Sequence, residues 1–284
     1  MDSGRSPMHN VLDSAAQPRE ERRAMNPIIE LLDRRVSVRS YTDQPITESE
    51  REAILNGAFR APTAGNLMLY SIIDVRDQAI KDQLADLCDD QPFIGKAPLV
   101  LIFMADYQKW IDLFRAVDVE SITDENISHR MAPGAGDLTL AIADAVIAAQ
   151  NAVVVAESLG IGSCYIGDIN EHGEEVSSLL NLPPHTFPAA MLCFGHPAHR
   201  REPVGRYTNH VVHVDRYQRL DATELVSAAE ELGALHAPQG LRPGVATYPE
   251  DVYRRKWTSD YAREMNRSTE WWMERWVSGG ANER

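Results

Sequence analysis

The chain carries 284 residues and a formal charge of −14. That length allows one large domain or two small ones with a sizeable core, and the acidic balance argues against nucleic acid or a membrane surface as the main partner. Three scattered cysteines, Cys88, Cys164 and Cys193, form no CxxC pair. So sparse a set points to a reducing cytosol and away from a disulfide scaffold, a zinc centre or an iron–sulfur site.

Residues 1–25 are polar, lack the apolar core of a secretory signal, and read as a flexible tail, with Met25 a candidate natural start. Pro27 to Arg35 is expected to be a short helix packing Ile28, Ile29, Leu31 and Leu32. Arg34, Arg35, Ser37 and Arg39 follow within six residues. Forked guanidinium donors beside a hydroxyl suit a phosphate; the same residues read equally well as a solvated basic face. Thr47 to Phe59 is a second helix, with Thr47 and Glu50 as a capping box. Ala61 to Asn66 (APTAGN) is a loop of proline, hydroxyl, small residues and amide, suited to presenting backbone N–H groups to a flat ligand or to being a plain turn. Tyr70–Val75 and Pro98–Met104 are strands, the second buried and central, with a short helix over Ala79–Leu87 between them.

Ala105 to Gly136 has a helical face of Trp110, Leu113 and Phe114 and a polar tract through His129. It is either a lid or a surface excursion. Asp137 is the expected cap of a long Ala-rich helix that is apolar nearly all round and stopped by Gly160 and Gly162. Polar residues at Asp144, Gln150, Asn151 and Glu157 break it short of a membrane span. SCYIG then reads as a strand delivering Tyr165, Ile166 and Gly167. Glu174–Leu180 is a helix, Thr186–Gly195 a buried strand, and the proline-broken loop after it holds Arg200, Arg201 and Arg206. A last strand is expected over Val211–Val214. From Arg216 onward come an amphipathic helix over Ala222–Leu235, a Pro/Gly-rich linker over His236–Pro249, and an aromatic stripe of Tyr253, Trp257, Tyr261, Met265, Trp272 and Trp276. That stripe either clasps a partner or, the stronger expectation, packs on its own core.

RRVSVRSY (Arg34–Tyr41), APTAGN (Ala61–Asn66), ADAVIAAQNAVVVAESLGIGSCYIGDI (Ala143–Ile169) and FGHP…GRY (Phe194–Tyr207) occur in this order. Together they resemble the FMN-dependent nitroreductase family over residues 26 to 215. The resemblance implies an α/β (α+β) fold, a mixed central sheet flanked by helices, in an intertwined homodimer with FMN at the subunit interface. Residues 26–215 would form the FMN-binding domain and 216–284 a C-terminal helical extension reaching across the partner, with the small residues of the long helix at the dimer core. By this resemblance Arg35, Val36, Ser37 and Arg39 hold the phosphate and ribityl chain, with Arg206 completing the phosphate site. Pro62, Thr63, Ala64 and Asn66 line the ring from the other subunit, and Tyr165, Ile166 and Gly167 lie along one ring face. Arg200 and Arg201 are weaker matches.

One departure stands out: Met68 occupies a place where the family often has a glutamine, and a thioether cannot donate a hydrogen bond. The implied activity is a ping-pong oxidoreductase. Hydride from NAD(P)H passes through bound flavin to a nitroaromatic, quinone or enone. No metal is expected and no side chain is obliged to act as the catalytic acid. A reductive dehalogenase or specialised dehydrogenase on the same fold, or a flavin-binding protein without turnover, are the alternatives.

Overall fold

The computed structural model describes residues 26–121 and 132–280. The expected tail over 1–25, part of the polar tract before the long helix, and the last four residues lie outside the described residues. In chain order the elements are α1 (Pro27–Arg34), α2 (Glu48–Phe59), β1 (Tyr70–Val75), α3 (Gln78–Leu87), α4 (Pro92–Gly95), β2 (Leu99–Asp106), α5 (Gln108–Ala116), α6 (Ala135–Ser158), β3 (Gly162–Ile166), α7 (Gly173–Leu179), β4 (Thr186–Gly195), α8 (Ala222–His236), α9 (Tyr248–Val252) and α10 (Asp260–Ser278).

The strands form a four-stranded sheet in the order β1-β2-β4-β3, every neighbour antiparallel. A parallel component enters through a single bridge between Ser37 and Ser163. β2 is central and buried along its whole length, as its unbroken apolar run predicts. α2 begins at the expected capping box: the Thr47 N–H donates to Glu50 Oε2 at 2.8 Å, and the Glu50 N–H to Thr47 Oγ1 at 3.3 Å.

α6 crosses one face of the sheet. Ala145, Ala148, Ala149, Ala152 and Ala156 turn inward and pack with Ile54 and Ala58 of α2 and with Leu101, Phe103 and Leu192 of the sheet. The small residues therefore serve contacts within the chain. The face left uncovered carries Leu140, Ala143, Val146 and Ile147. The helix starts three residues earlier than expected, because Gly134 is its cap and Asp137 lies in the first turn, its carboxylate accepting the Gly134 N–H at 2.9 Å. Contrary to the expected interruption, α6 is long and apolar enough to cross a membrane by length and composition alone. Its two interior carboxylates, described below, are answered by donors from the same chain. It ends as predicted: Gly160 takes φ +78°, the Gly160 N–H returns to Glu157 O, and the Ile161 N–H to Ala156 O, a closure that needs a left-handed residue.

Val211–Val214 is not a strand. The segment is exposed, and its backbone is diverted into a turn: Arg216 N–H donates to Val214 O at 2.7 Å, Gln218 N–H to His213 Nδ1 at 3.3 Å, and His213 lies against Tyr217. The aromatic stripe also divides. A π-helical turn over Tyr253–Trp257 separates α9 from α10; Tyr253 and Trp257 are exposed, whereas Trp272 and Trp276 are wholly buried in the main core. Trp276 Nε1 donates to Gly134 O, Ser268 Oγ to Asn170 O, and Arg275 to the carbonyls of Leu182, Pro183 and Pro184.

α10 also presents Glu264 to a buried carboxyl, Glu171. Burial first, then Asp168, Asp89 and Glu264, push Glu171 from its ordinary 4.5 up to about 7. A raised carboxyl favours the folded state below its unfolded value and loses that contribution as pH rises through the folded value. Glu171→Gln is therefore expected to match the wild type in urea midpoint at pH 4, to gain on it between pH 4.5 and 7, and to hold a constant advantage above pH 7; parallel midpoint curves across that range are the opposing result.

Candidate functional site

Downstream of α1 the chain turns extended, with Arg35 at φ −61° and ψ 128°, and docks on β3. The Val38 N–H donates to Ser163 O at 2.9 Å. Period-two alternation then buries Val38 and leaves Ser37 and Arg39 outward; Val36, just before Ser37, is half-buried. Val38 sits directly on Gly162, where an added Cβ would lie 2.5 Å from Val38 Cγ2. Arg39, Ser37 and Arg35 all bear on one neighbour, Cys164. Burial raises its thiol, while Arg39, a hydrogen bond with Ser37, and Arg35 pull it back down. The structure thus brings these three together. Neither Arg35 nor Arg39 has a carboxylate partner among the described residues.

β3 carries the next group. Tyr165 is partly exposed, and its hydroxyl, held at about 12 by burial against the opposing pull of Arg35, donates to Gln150 Oε1 of α6. Ile166 points the other way, into the main core, so only its backbone is free to line a site. Gly167 is exposed, and a Cβ there would meet nothing within 4 Å. The chain itself leaves space over this residue.

The Pro62–Asn66 loop differs from expectation in one respect. Two of its backbone donors, those of Ala64 and Asn66, are taken by the chain itself. Ala64 N–H donates to Asp144 Oδ1 at 2.9 Å, Asn66 N–H to Thr63 O at 3.2 Å, and Leu67 N–H to Ala64 O at 3.0 Å. A short 3₁₀ turn with consecutive left-handed residues consumes them: Gly65 at φ 55°, Asn66 at 59°, and then Met68 at 49°. What the loop offers outward is side chains, with Pro62, Asn66, Leu67 and Met68 all exposed.

The carbonyls after the turn are also held. Trp110 Nε1 donates to Leu67 O at 3.1 Å; Lys109 Nζ donates to Met68 O and, at 2.8 Å, to Tyr70 O. Asp144, only 3% exposed, accepts a second donor, the Leu69 N–H, at 3.0 Å. Burial lowers the Lys109 ammonium, with Asp106 and Asp144 opposing. Sequence reasoning missed Lys109, read Trp110 only as part of an aromatic helical face, and noted Asp144 only as a break in an apolar run. The signal was available for Asp144, since a buried carboxylate in an aliphatic helix must have donors.

These groups lie on opposite edges of the sheet. The loop leads into β1 and the Arg35–Arg39 segment docks on β3, with β2 and β4 between, a lateral separation of about 14 Å at the usual strand spacing. Arg206 is exposed in the irregular segment before α8, and no described hydrogen bond or ion pair joins it to the others. Arg200 is committed elsewhere: its guanidinium meets the buried Glu157 at 2.8 Å and the Gly160 carbonyl at 3.2 Å. It is a fold contact and leaves the candidate set.

Comparison with known proteins places this geometry. Residues 32–196 match the Nitroreductase family. The chain is 32% identical over 231 residues to the oxygen-insensitive NADPH nitroreductase of Salmonella typhimurium, covering 81% of this chain and 91% of that one. It is 30% identical over 230 residues to the NADPH-flavin oxidoreductase of Vibrio harveyi, covering 80% and 90% respectively. The solved structure of B. megaterium NfrA1 superposes with a TM-score of 0.73 at 30% identity, over 87% of this chain and 98% of that one. The chain belongs to the nitroreductase family.

The seat of the Arg35–Arg39 segment rests on the Val38–Gly162 contact. Gly162→Ala forces a methyl into Val38, and overpacking of this kind costs about 1–3 kcal/mol. The expected result is a lower urea midpoint with an unchanged slope; an unchanged midpoint would mean that the segment is not seated on β3 as described.

Proposed function

We propose that this protein is an NAD(P)H-dependent flavin oxidoreductase, binding FMN between two copies of the chain and reducing an electron-poor acceptor such as a nitroaromatic, quinone or enone. The observation that carries the proposal is a pair of guanidinium groups, Arg35 and Arg39, flanking Ser37, without a carboxylate partner among the described residues of a chain whose formal charge is −14. In so acidic a molecule, cations kept clear of acids favour an anion from outside. The names of relatives support the choice of anion: besides the two above, Bacillus subtilis has a relative named FMN reductase.

The residues present fit such a group. Arg35, Ser37 and Arg39 supply forked and hydroxyl donors to a phosphate monoester, and Arg206 is free to approach from its exposed segment. Gly167 leaves room beside β3 where a flat ring would lie. FMN held there would supply two-electron redox chemistry between NAD(P)H and the acceptor. The chain's own part is to bind, orient and cover. Asn66 and Thr63 bring side-chain polar groups to a loop surface that is otherwise apolar at Pro62, Leu67 and Met68. Met68 covers without donating.

Two copies are needed because Pro62–Asn66 and Arg35–Arg39 sit on opposite edges of one sheet. A two-fold partner brings the loop of one protomer to the arginines of the other. The uncovered apolar faces fit the same assembly: Ile28, Ile29 and Leu32 on α1, and Leu140, Val146 and Ile147 on α6, are all exposed.

The purified protein is expected to be yellow, to scatter light as twice its 31.7 kDa chain, and to lose its flavin colour under anaerobic NAD(P)H and regain it with a nitroaromatic or quinone. Flavin that stays oxidised under NAD(P)H would leave a binding protein without turnover. Arg39→Ala removes a charge-assisted bond worth about 1.5–3 kcal/mol, so FMN should bind roughly tenfold to a hundredfold more weakly; wild-type affinity in that variant would remove Arg39 from the phosphate site.

A further inference from the structure

Around Leu69 each backbone polar group has a partner. The Leu69 N–H goes to Asp144, the Leu69 carbonyl accepts the Asp106 N–H at 3.0 Å, and the Met68 and Tyr70 carbonyls on either side both accept from Lys109. One turn upstream, the second Asp144 oxygen takes the Ala64 N–H, and the Met68 N–H goes to Thr63 Oγ1. The segment so held is not a relaxed one. Asn66 and Met68 are non-glycine residues in the left-handed region, a conformation that costs free energy and persists where the surroundings over-determine it. Such strain gathers at ligand-holding segments, and this one carries the exposed Pro62, Asn66 and Met68.

We propose that Asp144 and Lys109 are positioning residues for the cofactor site: together they clamp residues 63–70 in the strained turn and so fix the surface that covers the flavin ring of the other protomer, without either side chain touching the ring. This rests on the flavin assignment above. Asp144, on α6, accepts from backbone N–H groups and Lys109, on α5, donates to backbone carbonyls, so the same short segment is gripped on both polarities of its backbone. Loss of either grip leaves backbone groups of one polarity in this segment without their side-chain partner.

The test uses full-length protein stripped of flavin and titrated with FMN by fluorescence quenching, together with amide hydrogen exchange. Asp144→Asn keeps the shape but turns an amide N–H toward one of the two backbone donors. Lys109→Met keeps the stem and removes the ammonium. In each variant FMN is expected to bind at least about tenfold more weakly, and exchange is expected to speed up within residues 63–70 while the rest of the sheet keeps wild-type protection. A flavin circular-dichroism band altered in the reloaded variants is the spectroscopic counterpart. If Asp144→Asn does not fold, Lys109→Met alone decides.

FMN affinity within twofold of the wild type in the folded variants, or exchange accelerated evenly through the chain, would overturn the positioning role. Failure of the wild type itself to bind FMN would instead overturn the proposed function, and the exchange result would then still report whether the two side chains hold the turn.

Discussion

Helix α6 carries two carboxylates into the interior, and each has to be answered by donors brought from elsewhere. Asp144 is answered by the backbone of the Ala64–Leu69 turn, and Glu157 by the guanidinium of Arg200. A buried carboxylate left without donors would cost more than most single contacts contribute. The two loops are therefore not free to sit elsewhere. The helix acts as a rod with one anchor nearer its middle and one at its C-terminal end, about 20 Å apart at the usual rise, and it packs on the sheet between them. One Glu157 oxygen has no hydrogen-bond partner among the described residues, which makes Arg200 the more necessary there.

Much of the fold was legible in the sequence because local rules and tertiary contacts agree. The Thr47–Glu50 box, the unbroken apolar run of β2 and the glycine after Leu159 each specify one backbone outcome. Disagreement appeared where a local pattern lacked a tertiary counterpart. Val211–Val214 has strand composition, yet its Val211 N–H turns back to Thr208 O and its Val214 carbonyl accepts the Arg216 N–H, so local turns use these groups. Asp137 has the composition of a cap but sits where its carboxylate reaches back to Gly134. A Pro-Thr-Ala-Gly-Asn loop reads as a donor surface only if its N–H groups are unclaimed, and the sequence does not show that an acid eighty residues away claims one of them.

For the candidate site the same distinction holds. Three chemically alike arginines, Arg35, Arg39 and Arg200, divide by a fact external to themselves: whether a buried acid lies in reach. Composition alone cannot make that division, because the acid belongs to another element. The segment Arg35–Arg39 was recognisable from its spacing, and its docking on β3 follows from the pleat that hides Val38 and turns Ser37 and Arg39 outward. The separation of the two halves across the sheet was visible only once the strand order β1-β2-β4-β3 was known.

The π-helical turn at Tyr253–Trp257 has a consequence for the aromatic tail. It is followed by Thr258 and by Ser259, whose extended backbone caps a new helix, so positions before and after the break belong to different helices and share no common face. Trp257 and Trp272 carry the same side chain, yet one faces solvent and the other the deepest part of the core. The indole at Trp257 therefore ends an arm with its own direction and offers a broad aromatic plate to whatever surface that arm meets.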